Sequence, residues 1–171
     1  GNVSAGGWIN EGTQMNYVYK VAGIWSVEFN STDKLTKALN TSGYDTIILT
    51  YWRYGRNNYS WHYFYPEYTT NYGQSWTALE SPSGNFGWTY KAFALPASCA
   101  NNPYFGIRFR GSGASGSRWY VDEVTISGNV IRYPLTVNIN GGGSVTLDPA
   151  QPGGGYPIGT VVTLTANANT G

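Results

Sequence analysis

The residues of this chain that most often take part in catalysis are few and poorly placed for it. His62 is the only histidine, it lies between Trp61 and Tyr63, and no Gly-x-Ser-x-Gly motif accompanies it. A Ser-His-Asp triad is therefore not expected, and a strand histidine packed among aromatic rings is the favoured interpretation. Asp122 and Glu123 are adjacent, and adjacent side chains on a strand point to opposite faces. They cannot form the facing carboxylate pair that glycoside hydrolysis requires.

Metal and nucleotide chemistry are not supported either. One cysteine, Cys99, and one histidine give no Cys-x-x-Cys or His-Glu-x-x-His spacing, so a transition-metal site is not expected. Residues 111–116 match the glycine pattern Gly-x-Gly-x-x-Gly, but they lead into a predicted strand, so no helix N-terminus is available for a pyrophosphate. An enzyme remains the third-ranked alternative. It would need a carboxylate pair such as Glu67 with Glu123, which nothing local in the sequence supports.

The strongest chemical signal is aromatic. The chain contains 15 Tyr and 7 Trp, and aromatic residues make up 16% of it. Residues 51–68 read YWRYGRNNYSWHYFYPEY. A half-buried strand needs only one apolar face, because successive side chains point to opposite sides. Here both faces are aromatic, so the stretch is either buried on both sides or presents one face to a ligand.

Residues 47–68 predict a β-hairpin, with two strand-like runs around a turn at 55–58. If Leu49 and Tyr51 point inward on the first run, and Phe64 on the second, the residues between them point outward. In residues 105–110, arginines alternate with Phe and Ile and must oppose them. The predicted outer face carries Trp52, Tyr54, Tyr63, Tyr65, Glu67, Arg108 and Arg110.

Such a face has the chemistry that sugars require. Pyranose rings present apolar C–H faces that stack on flat aromatic rings, and their hydroxyl groups need partners such as Arg and Glu. Exposed aromatic patches usually mark an interaction site. A register shift of one residue would exchange the two faces, so burial of these aromatic residues in the core stays an open alternative.

Composition excludes several other functions. Net charge is +1, from 10 Lys+Arg against 9 Asp+Glu, which is too balanced for a protein that coats nucleic acid, so no nucleic-acid partner is expected. No stretch resembles a signal peptide or a membrane span, and membrane insertion is not expected. Because the chain starts at Gly1 without Met and stops at Gly171, we expect a fragment of a larger protein. The low charge and the many Asn, Thr, Ser, Gly and Tyr residues favour a secreted or cell-surface protein, and we expect a monomer.

The elements that must position these residues are short strands. Turn signals recur roughly every 8–12 residues without an amphipathic helix, which predicts an all-β, two-sheet antiparallel β-sandwich over residues 1–130. Residues 131–171 differ in composition. They predict a short three-strand C-terminal fragment, with strands at 133–140, 144–147 and 160–166, that is too small to bury a core alone.

Two motif groups resemble a known superfamily. FYPEY followed by TNYGQSWTALE, and WYVDEVTISG after the RFR strand, are similar to the strand motifs of carbohydrate-binding-module and MAM-like jelly rolls. The resemblance covers roughly residues 1–130, with one departure: the turn reads Asn71-Tyr72-Gly73 rather than Asp-Gly-Gly. Residues 133–171 resemble the start of a bacterial surface repeat and are interpreted as a truncated spacer module.

The resemblance implies a function and a metal. It implies a non-catalytic module that targets a tethered enzyme or surface domain to a polysaccharide or oligosaccharide. The alternative is a protein-binding or spacer domain of an extracellular protease or adhesin. Such jelly rolls often hold a structural calcium ion between the N-terminal segment and the aspartate of the last strand. Asp122 is that aspartate here and Glu11 its candidate partner; hydrogen bonding of Asp122 to backbone without an ion stays equally open.

Overall fold

The computed structural model describes residues 7–169 and divides the chain into two compact units, the first ending at Gly128 and the second beginning at Asn129. The first unit consists of short strands and a single-turn 3₁₀ helix at Ala97–Cys99. In chain order its strands are β1 (Ile9–Glu11), β2 (Gln14–Asn16), β3 (Ser26–Asn30), β4 (Lys34–Leu39), β5 (Tyr44–Arg56), β6 (Tyr63–Thr69), β7 (Thr77–Ala78), β8 (Phe86–Ala94), β9 (Phe105–Ser112) and β10 (Arg118–Val130). The last two residues of β10 belong to the second unit.

These strands form two five-stranded antiparallel sheets. Sheet A has the order β1-β4-β9-β6-β7, and sheet B the order β2-β3-β10-β5-β8. The two-sheet β-sandwich predicted from strand spacing is therefore confirmed. Within residues 7–169, no helix is long and apolar enough to cross a membrane.

The core consists of the inward-pointing aromatic residues of both sheets. Phe29 of sheet B meets Phe64 of sheet A edge to face, with ring centroids 5.5 Å apart. Phe109 stacks on Phe64 at 6.1 Å and meets Tyr51 of sheet B at 5.1 Å. All four side chains are fully buried, and burial of each contributes about 1.5–3 kcal/mol. Alternation along each strand places these rings inside and leaves the intervening residues on the two outer faces.

The hairpin predicted at 47–68 is wrong. β5 lies in sheet B between β10 and β8, whereas β6 lies in sheet A between β9 and β7. The inner sides of the two strands face each other across the core, so the segment between them crosses from one sheet to the other. The directions inferred within each strand are correct: Leu49, Tyr51 and Phe64 are fully buried.

His62 anchors this crossing segment. Its side chain is buried, with Nδ1 2.6 Å from Ser117 Oγ. The backbone N–H of Ala114 donates to Nε2 at 3.3 Å. The histidine thus ties the crossing segment to the loop between β9 and β10, which contains the glycine motif and leads into a strand as predicted. Its contacts are structural.

The second unit contains two small sheets. β11 (Arg132–Tyr133) pairs with β13 (Tyr156–Pro157), and β12 (Gly143–Asp148) pairs with β14 (Thr163–Ala168). The prediction of three strands differs from the structure in two respects: the unit has four strands, and the strand predicted at 133–140 ends at Tyr133. Pro134 follows it and has no N–H to continue the pairing.

Gly111 on β9 tests how tightly this strand packs, and Gly87 on β8 provides a comparison. A methyl group on Gly111 would lie 2.6 Å from the carbonyl oxygen of Ser31 and 2.8 Å from the Trp119 ring, whereas at Gly87 nothing lies within 4 Å. We expect Gly111→Ala to lower the free energy of unfolding by about 1–3 kcal/mol through overpacking. Gly87→Ala is the matched control and should be neutral or slightly stabilising. Urea denaturation of both variants measures this, and equal midpoints would contradict the packing described.

Candidate functional site

The outer side of sheet A carries one continuous set of polar and aromatic side chains. Cross-strand partners share a face, and the register aligns Lys34, Arg110 and Tyr65 in one row and Thr36, Arg108 and Glu67 in the next. A third row follows, of Ala38, Gly106 and Thr69. We call this surface the sheet A face; it comprises Lys34, Thr36, Ala38, Tyr63, Tyr65, Glu67, Thr69, Gly106, Arg108 and Arg110, bordered by Ile9, Tyr72 and Trp76.

Glu67 lies at the centre of the sheet A face and binds two arginines. Arg108 Nε donates to Glu67 Oε2 at 2.7 Å, and Arg110 Nη2 donates to Oε1 at 3.2 Å. The Glu67 side chain is only 7% exposed, against 18% for Arg108 and 28% for Arg110. One carboxylate therefore holds two guanidinium groups in place near the surface.

Each of these guanidinium groups also lies against an aromatic ring. The Arg108 guanidinium carbon is 4.3 Å from the centre of the Trp76 ring, and that of Arg110 is 4.2 Å from the centre of the Tyr65 ring. Such cation–π contacts stabilise both partners. Tyr63 extends the aromatic row, with its ring 6.0 Å from that of Tyr65. Rings and hydrogen-bonding groups are thus interleaved along the face.

A hollow lies beside the charged centre because the third row is built from small residues. A methyl group on Gly106 would come within 3.0 Å of the Lys37 carbonyl oxygen and 3.1 Å of Thr69 Cγ2. The resulting cavity has a volume of about 120 Å³ and is bordered by Trp76, Tyr72 and Ile9. Tyr72 is 71% exposed, so this end of the sheet A face is open to solvent and lined by two rings.

The turn between β6 and β7 positions Trp76. The indole Nε1 donates to the Gly73 carbonyl oxygen at 3.1 Å, and Gly73 N–H donates to Thr69 Oγ1 at 3.0 Å. Gly73 has φ +80°, and a side chain there would lie 3.2 Å from the indole, so glycine suits both the conformation and the contact. Tyr72 has φ +59° and stands, with Asn71 before it, where the turn differs from the Asp-Gly-Gly of the jelly rolls that it resembles.

Sequence reasoning did not identify Trp76, Tyr72 or Gly106 as site residues. A signal for Gly106 was present, because it alternates with Phe105 and Ile107 and so shares the outward face with Arg108. Trp76 follows a turn rather than lying on a strand, so strand alternation does not indicate its direction.

Trp52 and Tyr54 do not belong to this surface. They point outward as inferred, but β5 is a strand of sheet B, so they lie on the opposite outer face of the sandwich. The single face predicted to join them to Tyr63, Tyr65, Glu67, Arg108 and Arg110 is therefore wrong. The error has the same cause as the hairpin, since both assumed that β5 and β6 are neighbours in one sheet.

The aromatic residues on sheet B pack mainly against one another. Trp52 lies beside Tyr90, with ring centroids 5.4 Å apart. The ring of Tyr54 is surrounded, at 5.4 to 5.7 Å, by Tyr19, Trp88 and Tyr120. Burial, together with the negative charge of Glu28, raises the pKa of Tyr120 to about 12. Tyr54 and its three neighbours thus form a mutually packed cluster, whereas Tyr90 on the edge strand β8 is 51% exposed.

The carboxylates proposed for calcium have other partners. Asp122 Oδ2 accepts hydrogen bonds from the N–H groups of Val21 and Ala22 at 2.7 and 3.2 Å, and Oδ1 accepts from the N–H of Glu123 at 2.9 Å. Glu11, on sheet A, pairs with Lys34 at 3.1 Å. No group of three or more His, Cys, Asp or Glu side chains suited to a metal occurs among residues 7–169. Calcium takes backbone carbonyl oxygens as well as carboxylates, and calcium at Asp122 and Glu11 stays a prediction.

The acid pair considered for an enzyme is also divided between the sheets. Glu67 is on β6 of sheet A and bonded to two arginines, whereas Glu123 is an exposed residue of β10 in sheet B. The strand pairings give the two carboxylates no common face.

Comparison with solved structures places this geometry in a known fold. TmCBM61, solved in complex with beta-1,4-galactotriose, superposes with a TM-score of 0.54 at 10% identity, covering 71% of this chain and 87% of its own. The C-terminal family 22 carbohydrate binding module of Clostridium thermocellum Xyn10B gives 0.52 at 14% identity, covering 74% and 88%. The chain has the jelly-roll fold of carbohydrate-binding modules. The predicted fold resemblance is thereby confirmed, while the likeness of residues 133–171 to a surface repeat stays a prediction.

A domain described as an adhesin, and not as a carbohydrate-binding module, also has this fold. The K2 cleaved adhesin domain of Lys-gingipain superposes with a TM-score of 0.50 at 14% identity, covering 70% of this chain and 88% of its own. No family model and no curated protein sequence matches the chain. At these identities the likeness establishes the fold, so the function must be argued from the site.

The ion cluster of Glu67, Arg108 and Arg110 is expected to stabilise the fold. Glu67→Gln keeps the side-chain size but leaves two half-buried guanidinium groups without a counter-charge, so we expect unfolding to become easier by about 2 kcal/mol. Glu11→Gln, which breaks the exposed pair with Lys34, is the control and should change stability by less than about 0.5 kcal/mol. Urea midpoints measure both. A loss at Glu67 no larger than that at Glu11 would show that the cluster does not stabilise the fold.

Proposed function

We propose that the first unit is a non-catalytic module that binds a polysaccharide on the sheet A face. The observation that carries this proposal is an open hollow lined by Trp76 and Tyr72, with Arg108 and Glu67 in the adjacent row of the sheet. Rings and oriented donors occur together there, which is the combination that a sugar chain needs. The carbohydrate-binding-module fold of the unit supports the proposal without establishing the ligand.

Each part of the sheet A face would have a separate task. The half-buried ring of Trp76 and the exposed ring of Tyr72 would take the apolar C–H side of a sugar that enters the hollow. Arg108 and Arg110, held by Glu67, would donate to hydroxyl or other oxygen atoms of the chain. Because the guanidinium groups are fixed before the ligand arrives, little side-chain entropy is lost on binding.

The extent of the face favours a polymer. From Gly106 to Ser112 along β9 is six residues, or roughly 20 Å at the rise of a β-strand, and the outward positions over this length are aromatic, charged or small. TmCBM61 was solved with a linear oligosaccharide, which is the same class of ligand. A module of this kind, in a secreted or cell-surface protein, would raise the local concentration of a tethered partner at its substrate.

Protein binding is the rival function. Exposed Tyr and Trp also suit protein interfaces, and one protein of the same fold is an adhesin domain. The presence of a hollow bordered by two rings on a polar sheet favours the sugar ligand. Selectivity for one class of glycan separates the two functions.

Trp76→Ala tests the proposed site. We expect the variant to fold normally and to lose about tenfold or more of its affinity for the bound glycan, because it removes an aromatic wall of the hollow and the ring that supports Arg108. The measurement is affinity-gel mobility and calorimetry against glucans, xylans, mannans, galactans, pectins and chitin fragments.

Two matched tryptophan variants serve as controls. Trp61 is 65% exposed and lies in the crossing segment, outside the sheet A face, and Trp52 lies on sheet B. Trp61→Ala and Trp52→Ala should both bind as the unchanged protein does. If Trp52→Ala removes binding while Trp76→Ala does not, the site is on sheet B. If no glycan binds the folded protein, protein binding becomes the better proposal.

A further inference from the structure

At its centre, the sheet A face carries two positive charges and one negative charge. Arg108 and Arg110 share a single carboxylate, Glu67. The other charged pair on this side, Lys34 with Glu11, is exposed and neutral as a pair. For the whole chain, net charge is only +1, so the surplus at the two arginines is a local feature of the surface and not a consequence of a basic protein.

The arginines also keep hydrogen-bond donors unused. Arg108 donates through Nε alone to Glu67, and Arg110 through Nε and Nη2. Within residues 7–169, Nη1 and Nη2 of Arg108 and Nη1 of Arg110 have no hydrogen-bond partner. The two residues are next-but-one neighbours on β9, so their free nitrogens face the same side, with backbones roughly 7 Å apart.

Among the described residues 7–169, the strand pairings place no carboxylate other than Glu67 and Glu11 on this side of the sheet to neutralise the surplus. The flanking elements contribute Lys34 and Thr36 from β4 and Ala78 from β7 opposite Glu67, and the turn at 71–75 has no charged residue. A neutral ligand over the centre would remove water from a net positive charge without replacing it, which costs binding energy. A ligand with a negative group would complete the charge balance.

We propose that the glycan recognised by the sheet A face is acidic, with the carboxylate of a uronic acid residue bound by Arg108 and Arg110. The inference rests on the proposed function and narrows it to one class of polysaccharide. A planar guanidinium with two free nitrogens binds a carboxylate through paired hydrogen bonds. The neighbouring rings of Trp76 and Tyr65, against which the guanidinium groups lie, leave apolar surface for the sugar that bears the carboxylate.

The test compares acidic glycans with neutral partners of the same backbone. Polygalacturonate is set against its fully methyl-esterified form, and glucuronoxylan against unsubstituted xylo-oligosaccharides, using calorimetry on the full chain. We expect one acidic member to bind about tenfold or more tighter than its neutral partner, and its affinity to fall several-fold between low salt and 0.5 M NaCl. Equal affinity for both members of a pair overturns the inference and leaves the proposed glycan-binding function standing.

Two further outcomes distinguish a carboxylate ligand from a sulfate ester and from no glycan ligand at all. Dextran sulfate against dextran tests a sulfate ester, and tighter binding of the sulfated polymer than of any uronate overturns the assignment to a carboxylate. If no glycan binds, and circular dichroism shows that the protein is folded, both this inference and the proposed function are overturned.

The variants separate charge from geometry. Arg108→Lys and Arg110→Lys keep the positive charge but lose the paired donors, and each should lower affinity for the acidic glycan about fivefold or more while changing affinity for neutral sugars little. Lys20→Gln removes an exposed positive charge in the segment that follows β2, away from the sheet A face, and should bind normally. If Lys20→Gln weakens binding as much as the arginine variants do, the attraction is only overall charge. Having two arginine variants keeps the test valid if one fails to fold.

Discussion

The buried carboxylate of Glu67 is the interaction on which both the sheet and its surface depend. It accepts hydrogen bonds from two arginines of the neighbouring strand, and a one-residue shift between β6 and β9 would break both bonds. The same shift would turn Glu67 toward the core and Phe64 toward solvent. A charged side chain inside this aromatic core would cost several kcal/mol. The ion cluster and the core therefore specify one register together.

β9 connects that register to the binding surface. Its inner residues, Phe105, Ile107 and Phe109, are almost completely buried between the sheets, which fixes the strand rigidly. Its outer residues are then presented in a fixed order, with the space over Gly106 next to Arg108 and Arg110. Because the core holds the strand, the hollow and the guanidinium groups keep their spacing without support from a ligand. A surface built on a central strand in this way is more precise than one built on loops.

Strand alternation predicted most side-chain directions within each strand, whereas long-range packing decided which strands share a sheet. The inward directions of Leu49, Tyr51 and Phe64 follow from a period of two, and so do the outward directions of Tyr63, Tyr65, Arg108 and Arg110. The same period cannot tell whether two successive strands pair with each other or face each other across a core, since either arrangement buries one side of each. Because β5 and β6 face each other across the core, Trp52 and Tyr54 lie on sheet B and not beside Tyr63 and Tyr65. Trp76 was missed because its direction comes from a turn held by Gly73 and Thr69.

The two outer faces of the sandwich show why aromatic content alone does not identify a binding surface. On sheet B the rings of Tyr54, Tyr19 and Tyr120 meet one another, so their apolar faces are already covered and a ligand would have to displace them. On sheet A the rings of Trp76 and Tyr65 lie against the guanidinium groups of Arg108 and Arg110. These groups are more weakly hydrated than ammonium groups and retain free donors. There an incoming sugar gains apolar contact from the rings and hydrogen bonds from the cations at the same time. A negative group on that sugar gains more, because it neutralises the charge that Glu67 leaves uncompensated.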